Sequence, residues 1–342
     1  MYTKDFYIAE NKITHYFDAA FSCLDQIVSK ENTVLITDEH VFDLHKNKME
    51  GWKTIVIKAG EEHKQQATAD HIIEQFIQLE ADRNTFIIGI GGGVVTDITG
   101  FAASIYMRGL KFAFVPTTIL AMVDAAIGGK NGVDVGLYKN LKGLIRQPEF
   151  LFYDYSFLQT LPDREWINGF AEIIKHACIK DEKLFDLLEQ HTLQYFQQDK
   201  NALSALIEKN VLIKNSVVAE DEQETGERKK LNFGHSFGHA IENLYHLPHG
   251  HAVSIGMVLA AGIGEKINQF DPKDTNRLIE VLTKYALPHK LQFDKEKVLD
   301  ILKMDKKRDR KVIHFILLNK IGEAMIHPIP IDQLNELINQ TH

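Results

Sequence analysis

The chain of 342 residues has two cysteines, Cys23 and Cys178, too few and too far apart for a disulfide framework or a cysteine-based zinc site. That scarcity implies a reducing, cytoplasmic setting. No window reaches the ~18 apolar residues of a membrane span. Residues 1–14 mix Lys4, Asp5, Glu10 and Lys12 among their apolar neighbours, unlike a signal peptide. There is no long Lys/Arg block either. With Lys+Arg 39 against Asp+Glu 47 the formal charge is -8, which argues against nucleic acid or an anionic membrane as partner, because both demand a basic face. Repeats, low-complexity segments and a Pro/Gly/Ser linker are also missing. What remains is ordinary globular usage, 44% hydrophobic and 25% charged, in a chain long enough for about two domains at roughly 150 residues each.

The first 150 residues alternate β-rich runs with helical patterns, the mark of a doubly wound α/β domain with a mostly parallel sheet. Thr33–Thr37, Thr54–Ile57, Thr85–Ile90 and Phe112–Val115 read as buried strands, while Ile72, Ile73, Phe76 and Leu79 stripe one face of a helix. From about Asp163 long amphipathic patterns take over, with Val312–Leu318 as one strand among them.

The run Gly89-Ile90-Gly91-Gly92-Gly93-Val94-Val95-Thr96-Asp97 follows a predicted strand and opens a predicted helix. Glycines there let backbone N–H groups approach a pyrophosphate at the positive end of a helix. The strict G-x-G-x-x-G spacing fails, since Val94 or Thr96 stands where the third glycine would fall. A tight turn needing positive φ is the plainer alternative, but three adjacent glycines favour a phosphate or dinucleotide site. Pro116-Thr117-Thr118 sits at the end of the next strand, where open α/β sheets bind ligands, though Thr117 could instead cap the following helix. Asp124, Gly128-Gly129-Lys130-Asn131-Gly132 and Lys139-Asn140 then place lysines in glycine-rich, weakly helical segments. Singly these are solvated loop lysines; together they fit an anionic substrate.

Histidine is abundant, at 16 residues. His235 and His239 are four apart and share a helical face, Pro248-His249-Gly250-His251 follows, and Glu172 stands in an apolar helical stretch with Lys175 one turn on. A Glu and two His would satisfy a catalytic zinc ion. The alternatives are core histidines bonded to carbonyls and an ordinary Glu172–Lys175 helix pair. No H-E-x-x-H occurs, which disfavours a metalloprotease of that type.

Many ordered segments together resemble the 3-dehydroquinate synthase family: GGGVVTD (91–97), YMRG (106–109), PTTIL (116–120), VDAAIGGKNGV (123–133), YKN (138–140), GFAEIIKH (169–176), GERKKLNFGHSFGHAIE (226–242) and PHGHAV (248–253). The resemblance implies an α/β N-terminal Rossmann-like nucleotide-binding domain (1–157) followed by an all-α C-terminal metal- and substrate-binding domain (158–342). By motif it assigns metal ligation, by Zn or Co, to Glu172, His235 and His249. NAD contacts fall on Asp38, Glu61, Lys64, Gly92, Gly93, Val94, Asp97, Thr117, Thr118, Leu120, Asp124, Lys130, Lys139, Phe157 and Thr160. Substrate and catalytic roles fall on Arg108, Lys130, Asn140, Lys175, Lys214, Arg228, Asn232, His239 and Lys306. The implied reaction turns 3-deoxy-D-arabino-heptulosonate 7-phosphate into 3-dehydroquinate and phosphate by transient oxidation with NAD, phosphate elimination, re-reduction and aldol closure. The family is usually homodimeric, with the arginine at Arg108 reaching the neighbouring subunit's site.

Three residues depart from the family's pattern: Thr96 and Tyr138 stand where glycine is common, and His251 where glutamate is common. Thr96 is expected to narrow the pyrophosphate loop and His251 to alter the surroundings of the metal. Three alternatives remain. A sister cyclase acting on sedoheptulose 7-phosphate would need no carboxylate clamp, and Arg228, Asn232 and His239 together favour the dehydroquinate reading over it. An NAD-dependent, metal-containing polyol dehydrogenase would not need so many lysines, and a catalytically dead homologue would have lost Glu172, Lys175 or a ligand histidine.

Overall fold

The computed structural model describes residues 1–136, 138–305 and 312–340. The chain divides into two compact units, Met1–Glu165 with Ser204–Gln223, and Trp166–Leu203 with Glu224–His342.

Among the described residues the first unit has nine strands: β1 (Tyr2–Ile8), β2 (Asn11–Phe17), β3 (Thr33–Asp38), β4 (Lys53–Ile57), β5 (Phe86–Gly91), β6 (Lys111–Pro116), β7 (Lys130–Val135), β8 (Tyr138–Ile145) and β9 (Phe150–Phe152). Seven form one sheet in the order β1-β2-β9-β6-β5-β3-β4, parallel except for the β1–β2 hairpin. Helices α1 (Glu39–His45), α2 (Gln66–Gln78) and α3 (Gly93–Ile105) alternate with the parallel strands. Strands covered on both faces need apolar side chains on both, hence the unbroken burial of Thr33 to Thr37 in β3 and of Phe112 to Pro116 in β6. In α2 the buried positions are Ala69, Ile72 and Phe76, three and four apart. Leu35, Ile88, Ala113 and Phe152 meet in the core on one side of the sheet.

Lys130 and Lys139-Asn140, expected in weakly helical segments, instead lie in the antiparallel β7–β8 hairpin. Glycine permits that pairing: a Cβ on Gly132 would come within 2.9 Å of the Lys142 carbonyl oxygen on the facing strand.

The second unit is mainly helical: α4 (Asp163–Lys180), α5 (Glu182–Gln190), α6 (Leu193–Gln198), α8 (His235–Tyr245), α9 (His249–Ile267), α10 (Pro272–Lys284), α11 (Lys295–Asp305) and α12 (Ile331–Gln340), with α7 (Lys200–Glu220) running across the unit boundary. Residues 169–179 of α4 are buried all round, and α9 is nearly so. A helix of that kind is a central one, with its neighbours laid against it. An antiparallel hairpin, β10 (Val312–Lys320) with β11 (Glu323–Pro330), adds two strands to the helices. Ile313, Phe315 and Leu317 of β10, alternating as a strand's inner face must, join Phe237, Ile241, Ile255 and Leu334 in the core. Among the described residues no helix is long and apolar enough to cross a membrane.

The units part at Glu165 rather than at 157, and most of α7 groups with the first unit. Phe157 explains the first of these: its ring packs edge-on against Phe21 and His45, which ties residues 155–160 to the sheet.

Candidate active site

In the first unit, β5 ends at Gly91 and Gly92 caps α3. None of Gly89, Gly91, Gly92 and Gly93 has positive φ, so the turn does not need them for backbone freedom. They are needed for closeness. A Cβ on Gly89 would come 2.8 Å from Thr99 Oγ1, one on Gly91 2.5 Å from Val95, and one on Gly92 3.2 Å from Thr118 Cγ2. The strand, the helix and the Thr117-Thr118 segment are thereby drawn together, and Thr117 N donates to Gly91 O at 2.9 Å. By helix geometry the N–H groups of Gly93, Val94 and Val95 point out of the helix N-terminus.

Thr118 accepts from Ala121 N at 3.1 Å and so does the capping that sequence reading offered to Thr117. Thr117 is buried, and its Oγ1 has no hydrogen-bond partner. An orphan hydroxyl at the carboxyl end of β6, beside the glycine turn, fits a ligand such as NAD that accepts from it. The Thr96 hydroxyl folds back to donate to Gly93 O at 3.0 Å. Tyr138 needs no glycine geometry, because among the described residues of its loop the positive φ angles are those of Gly136 and Asn140.

Lys64 is buried, pairs with Asp97 at 2.5 Å and donates to Asn140 Oδ1 at 2.6 Å. Burial alone would lower its pKa, but Asp97 and Glu61 outweigh it and the net shift is upward. Lys139 pairs with Glu61 at 3.4 Å, and Lys214, also buried, with Asp124 at 2.6 Å. Asp38 accepts from Val41 N at 2.9 Å and caps α1. Leu120 is half-buried just before the turn 121–125, Phe157 is a core residue, and the Thr160 hydroxyl meets His45 Nε2 at 2.7 Å. Lys130 is exposed, as is Arg108, which shares a turn of positive φ with Met107 and Gly109.

In the second unit, Glu172 on α4, His235 at the start of α8 and His249 at the start of α9 place one ligand atom each within 4.8 Å of one another. Glu172 is wholly buried, and its Oε1 lies 3.4 Å from Nε2 of both histidines. The other ring nitrogens are already engaged: His235 Nδ1 donates to Phe233 O at 3.2 Å, and His249 Nδ1 to Glu242 at 3.1 Å. Such outer partners fix the tautomer that leaves Nε2 free to ligate, the arrangement a divalent metal requires. Glu172 also forms a buried ion pair with Lys175. Burial opposes its charge, yet Lys175 and His235 hold its carboxyl well below the usual range. Burial likewise disfavours charge on His249, but Glu172 and Glu242 raise it to about 9. The pocket therefore already favours positive charge where a cation would sit.

Sequence reading missed two supports of this trio. Glu242, not His251, is the carboxylate behind His249; its spacing, seven beyond His235 on one helix face, was the available signal. Asn168 accepts from Gly250 N at 2.5 Å and fastens the first turn of α9 to α4. His239 is exposed one turn beyond His235, with ring centroids 5.3 Å apart. Arg228 is buried, and Asn232 donates to Glu224 at 2.6 Å. Lys306 lies outside the described residues.

The family models for the N-terminal and C-terminal parts of 3-dehydroquinate synthase match residues 54–168 and 169–308. The chain is 40% identical over 313 residues to the 3-dehydroquinate synthase of Campylobacter curvus (strain 525.92), covering 89% of each chain. It is 40% identical over 294 residues to that of Saccharolobus solfataricus (strain ATCC 35092 / DSM 1617 / JCM 11322 / P2), covering 84% of this chain and 83% of the other. Among solved structures it is similar to ValA, the 2-epi-5-epi-valiolone synthase from Streptomyces hygroscopicus subsp. jinggangensis 5008 with NAD+ and Zn2+ bound, at 26% identity and a TM-score of 0.88, covering 100% of this chain and 99% of that one. A 2-deoxy-scyllo-inosose synthase complexed with carbaglucose-6-phosphate, NAD+ and Co2+ shares the fold at 24% identity and a TM-score of 0.87, covering 99% and 100%. Two family models end to end, relatives across most of the chain, and a Glu-His-His trio agree: the chain belongs to the 3-dehydroquinate synthase family.

Proposed function

We propose that the chain converts 3-deoxy-D-arabino-heptulosonate 7-phosphate into 3-dehydroquinate and phosphate, with NAD and a divalent cation, zinc before cobalt, as cofactors. The observation that carries the reading is the Glu172, His235 and His249 trio with both rings oriented from behind. When bound, NAD supplies transient oxidation and the returned hydride, and the cation supplies Lewis acidity toward the alcohol.

The chain's own residues do the rest. The first turn of α3 and the Thr117 hydroxyl bind the dinucleotide's phosphates and their surroundings. Lys175 keeps Glu172 ionised in a place where burial alone would protonate it. His239, exposed beside the trio, accepts the hydroxyl proton as a neutral imidazole. Arg228 and Lys214 suit the substrate carboxylate, and Lys130, Asn140, Lys306 and Arg108 its phosphate. The carbon-bound proton goes to the substrate's own phosphate, so no protein base is assigned to it. A homodimer in the cytoplasm completes the reading, with exposed Arg108 available to a partner subunit.

The test is incubation of metal-loaded protein and NAD with the heptulosonate phosphate. Phosphate release with dehydroquinate formed and no net NADH is expected. Accumulating NADH, no turnover, or preferred turnover of sedoheptulose 7-phosphate would overturn the assignment. An Arg228→Ala protein with normal substrate affinity would remove Arg228 from the carboxylate site.

A further inference from the structure

The tip of the β7–β8 hairpin carries Lys139 and Asn140, yet its described residues have little apolar burial to hold them. Val135, Tyr138 and Leu141 are 45%, 61% and 65% exposed. A segment whose apolar side chains face outward is held in one conformation only by its polar contacts. Those contacts converge on one residue that neither the family motifs nor the ligand assignments include. Asp134 N donates to Lys64 O at 2.8 Å, and Asp134 Oδ1 accepts from Asn140 N at 2.7 Å. Asn140 has φ 52, a left-handed conformation that asparagine tolerates better than most residues but still adopts at a cost. With its N–H taken by Asp134, its Oδ1 lies 2.6 Å from Lys64 Nζ, which also pairs with Asp97 on α3.

We propose that Asp134 is a positioning residue: by accepting the Asn140 N–H it sets the backbone turn that presents Asn140 and Lys139 to their ligands. The inference rests on the cyclase reading, in which those two residues meet sugar phosphate and NAD. What Asp134 supplies is an acceptor oxygen at the right place. Its charge is secondary, because an asparagine carbonyl can accept the same N–H.

The experiment compares Asp134→Asn with two variants that cannot accept, Asp134→Ala and the near-isosteric Asp134→Leu; either of the latter suffices. The asparagine variant is expected within about threefold of the parent in KM for the sugar phosphate, while the alanine or leucine variant raises that KM by about tenfold or more, with kcat changed less. Hydrogen exchange of the Asn140 amide is the independent readout: protected in the parent and in Asp134→Asn, unprotected in the other two. An unchanged KM and a protected amide in Asp134→Ala or Asp134→Leu would overturn the proposal, as would an asparagine variant as impaired as alanine. If the parent made no dehydroquinate the cyclase reading would fail, and the exchange contrast would still decide whether Asp134 fastens the turn.

Discussion

Replacing Gly256 by alanine sets two effects of known size against each other. Gly256 lies inside α9, and on helix propensity alone alanine there is worth about 1 kcal/mol. Against this, a Cβ at 256 would overlap the carbonyl oxygen of Gly234 and would stand 2.9 Å from the Gly234 carbonyl carbon and 3.0 Å from Gly238 N. These neighbours are backbone, which cannot swing aside, so α8 must move bodily away from α9. Overpacking of this kind costs ~1–3 kcal/mol, and the collision with a peptide group puts this case at the upper end. The net expectation is about 2 kcal/mol of destabilisation.

The displacement is also directed. His235 follows Gly234 at the start of α8 and His249 opens α9, so parting these helices separates two of the three proposed ligands. Divalent-metal affinity should fall by roughly tenfold or more, the scale on which disturbed ligand supports act. Gly264→Ala is the control in the same helix. There the added Cβ would be 3.2 Å from Asn268 Oδ1 and 3.3 Å from Phe270 Cβ, contacts relieved by shifts of a few tenths of an ångström. It should be neutral or stabilising by up to ~1 kcal/mol, with metal affinity unchanged. Urea unfolding and equilibrium metal titration of both variants decide the matter. Equal stability of Gly256→Ala and the parent, or equal metal affinity, would refute the claim that close α8–α9 packing sets the trio.

Glu172→Gln removes the anionic ligand and leaves Lys175 buried beside a neutral amide; metal content after dialysis should drop to a small fraction of one per chain, with cyclase activity lost at least a hundredfold. Lys64→Met strips Asp97 of its buried partner and frees Asn140, and should cost about 2–3 kcal/mol together with weaker NAD binding, read by urea unfolding and a fluorescence titration. His15 is buried in an aromatic stack with Phe6, Phe17 and Tyr153, and burial lowers its pKa to about 3. The unfolded chain takes up that proton below about 6.5 and the folded chain only near 3, so stability falls as pH drops through this window, by up to about 4–5 kcal/mol. His15→Phe should flatten that slope; an unaltered slope in denaturation measured from pH 7 to 4 would exclude His15 as its source.

How much of this was legible in the sequence depends on what each residue's environment demanded. β3, β5 and β6 could be read because a strand covered on both faces is apolar throughout, as in Thr33 to Thr37. β1 is mostly exposed, and β7–β8 pairs through glycines and lysines, so neither carries an apolar signature. The hairpin at β11 was masked by Pro328 and Pro330, residues that argue against strands except at edges and ends. At the site, the four-residue spacing of His235 and His239 put two rings on one face. Nothing in the spacing says that Glu172, more than sixty residues earlier on α4, is the residue that Nε2 of His235 and Nε2 of His249 meet. That came from the family's motifs. Asn168 and Asp134 act through backbone N–H groups, and a partner that touches a backbone leaves no chemical pattern in the residues it touches; Glu242, which orients a ring, left only its spacing from His235.

The net charge of -8 and the demands of a doubly anionic substrate are reconciled by where the cations lie. Among the described residues the buried Lys and Arg side chains are Lys64, Lys175, Lys214 and Arg228, two in each unit. Removing such a group from water costs several kcal/mol even after relaxation, so a fold keeps one only where anions compensate. Asp97, Glu172 and Asp124 do so for the three lysines. Lys64, Lys175, Lys214 and Arg228 are also side chains that the family's motifs assign to NAD or substrate. A core designed for stability alone would replace these pairs with apolar residues at little or no loss. In the proposed function each of these pairs would hold a charge in place, and the surface total says nothing about the local field that an anionic ligand meets.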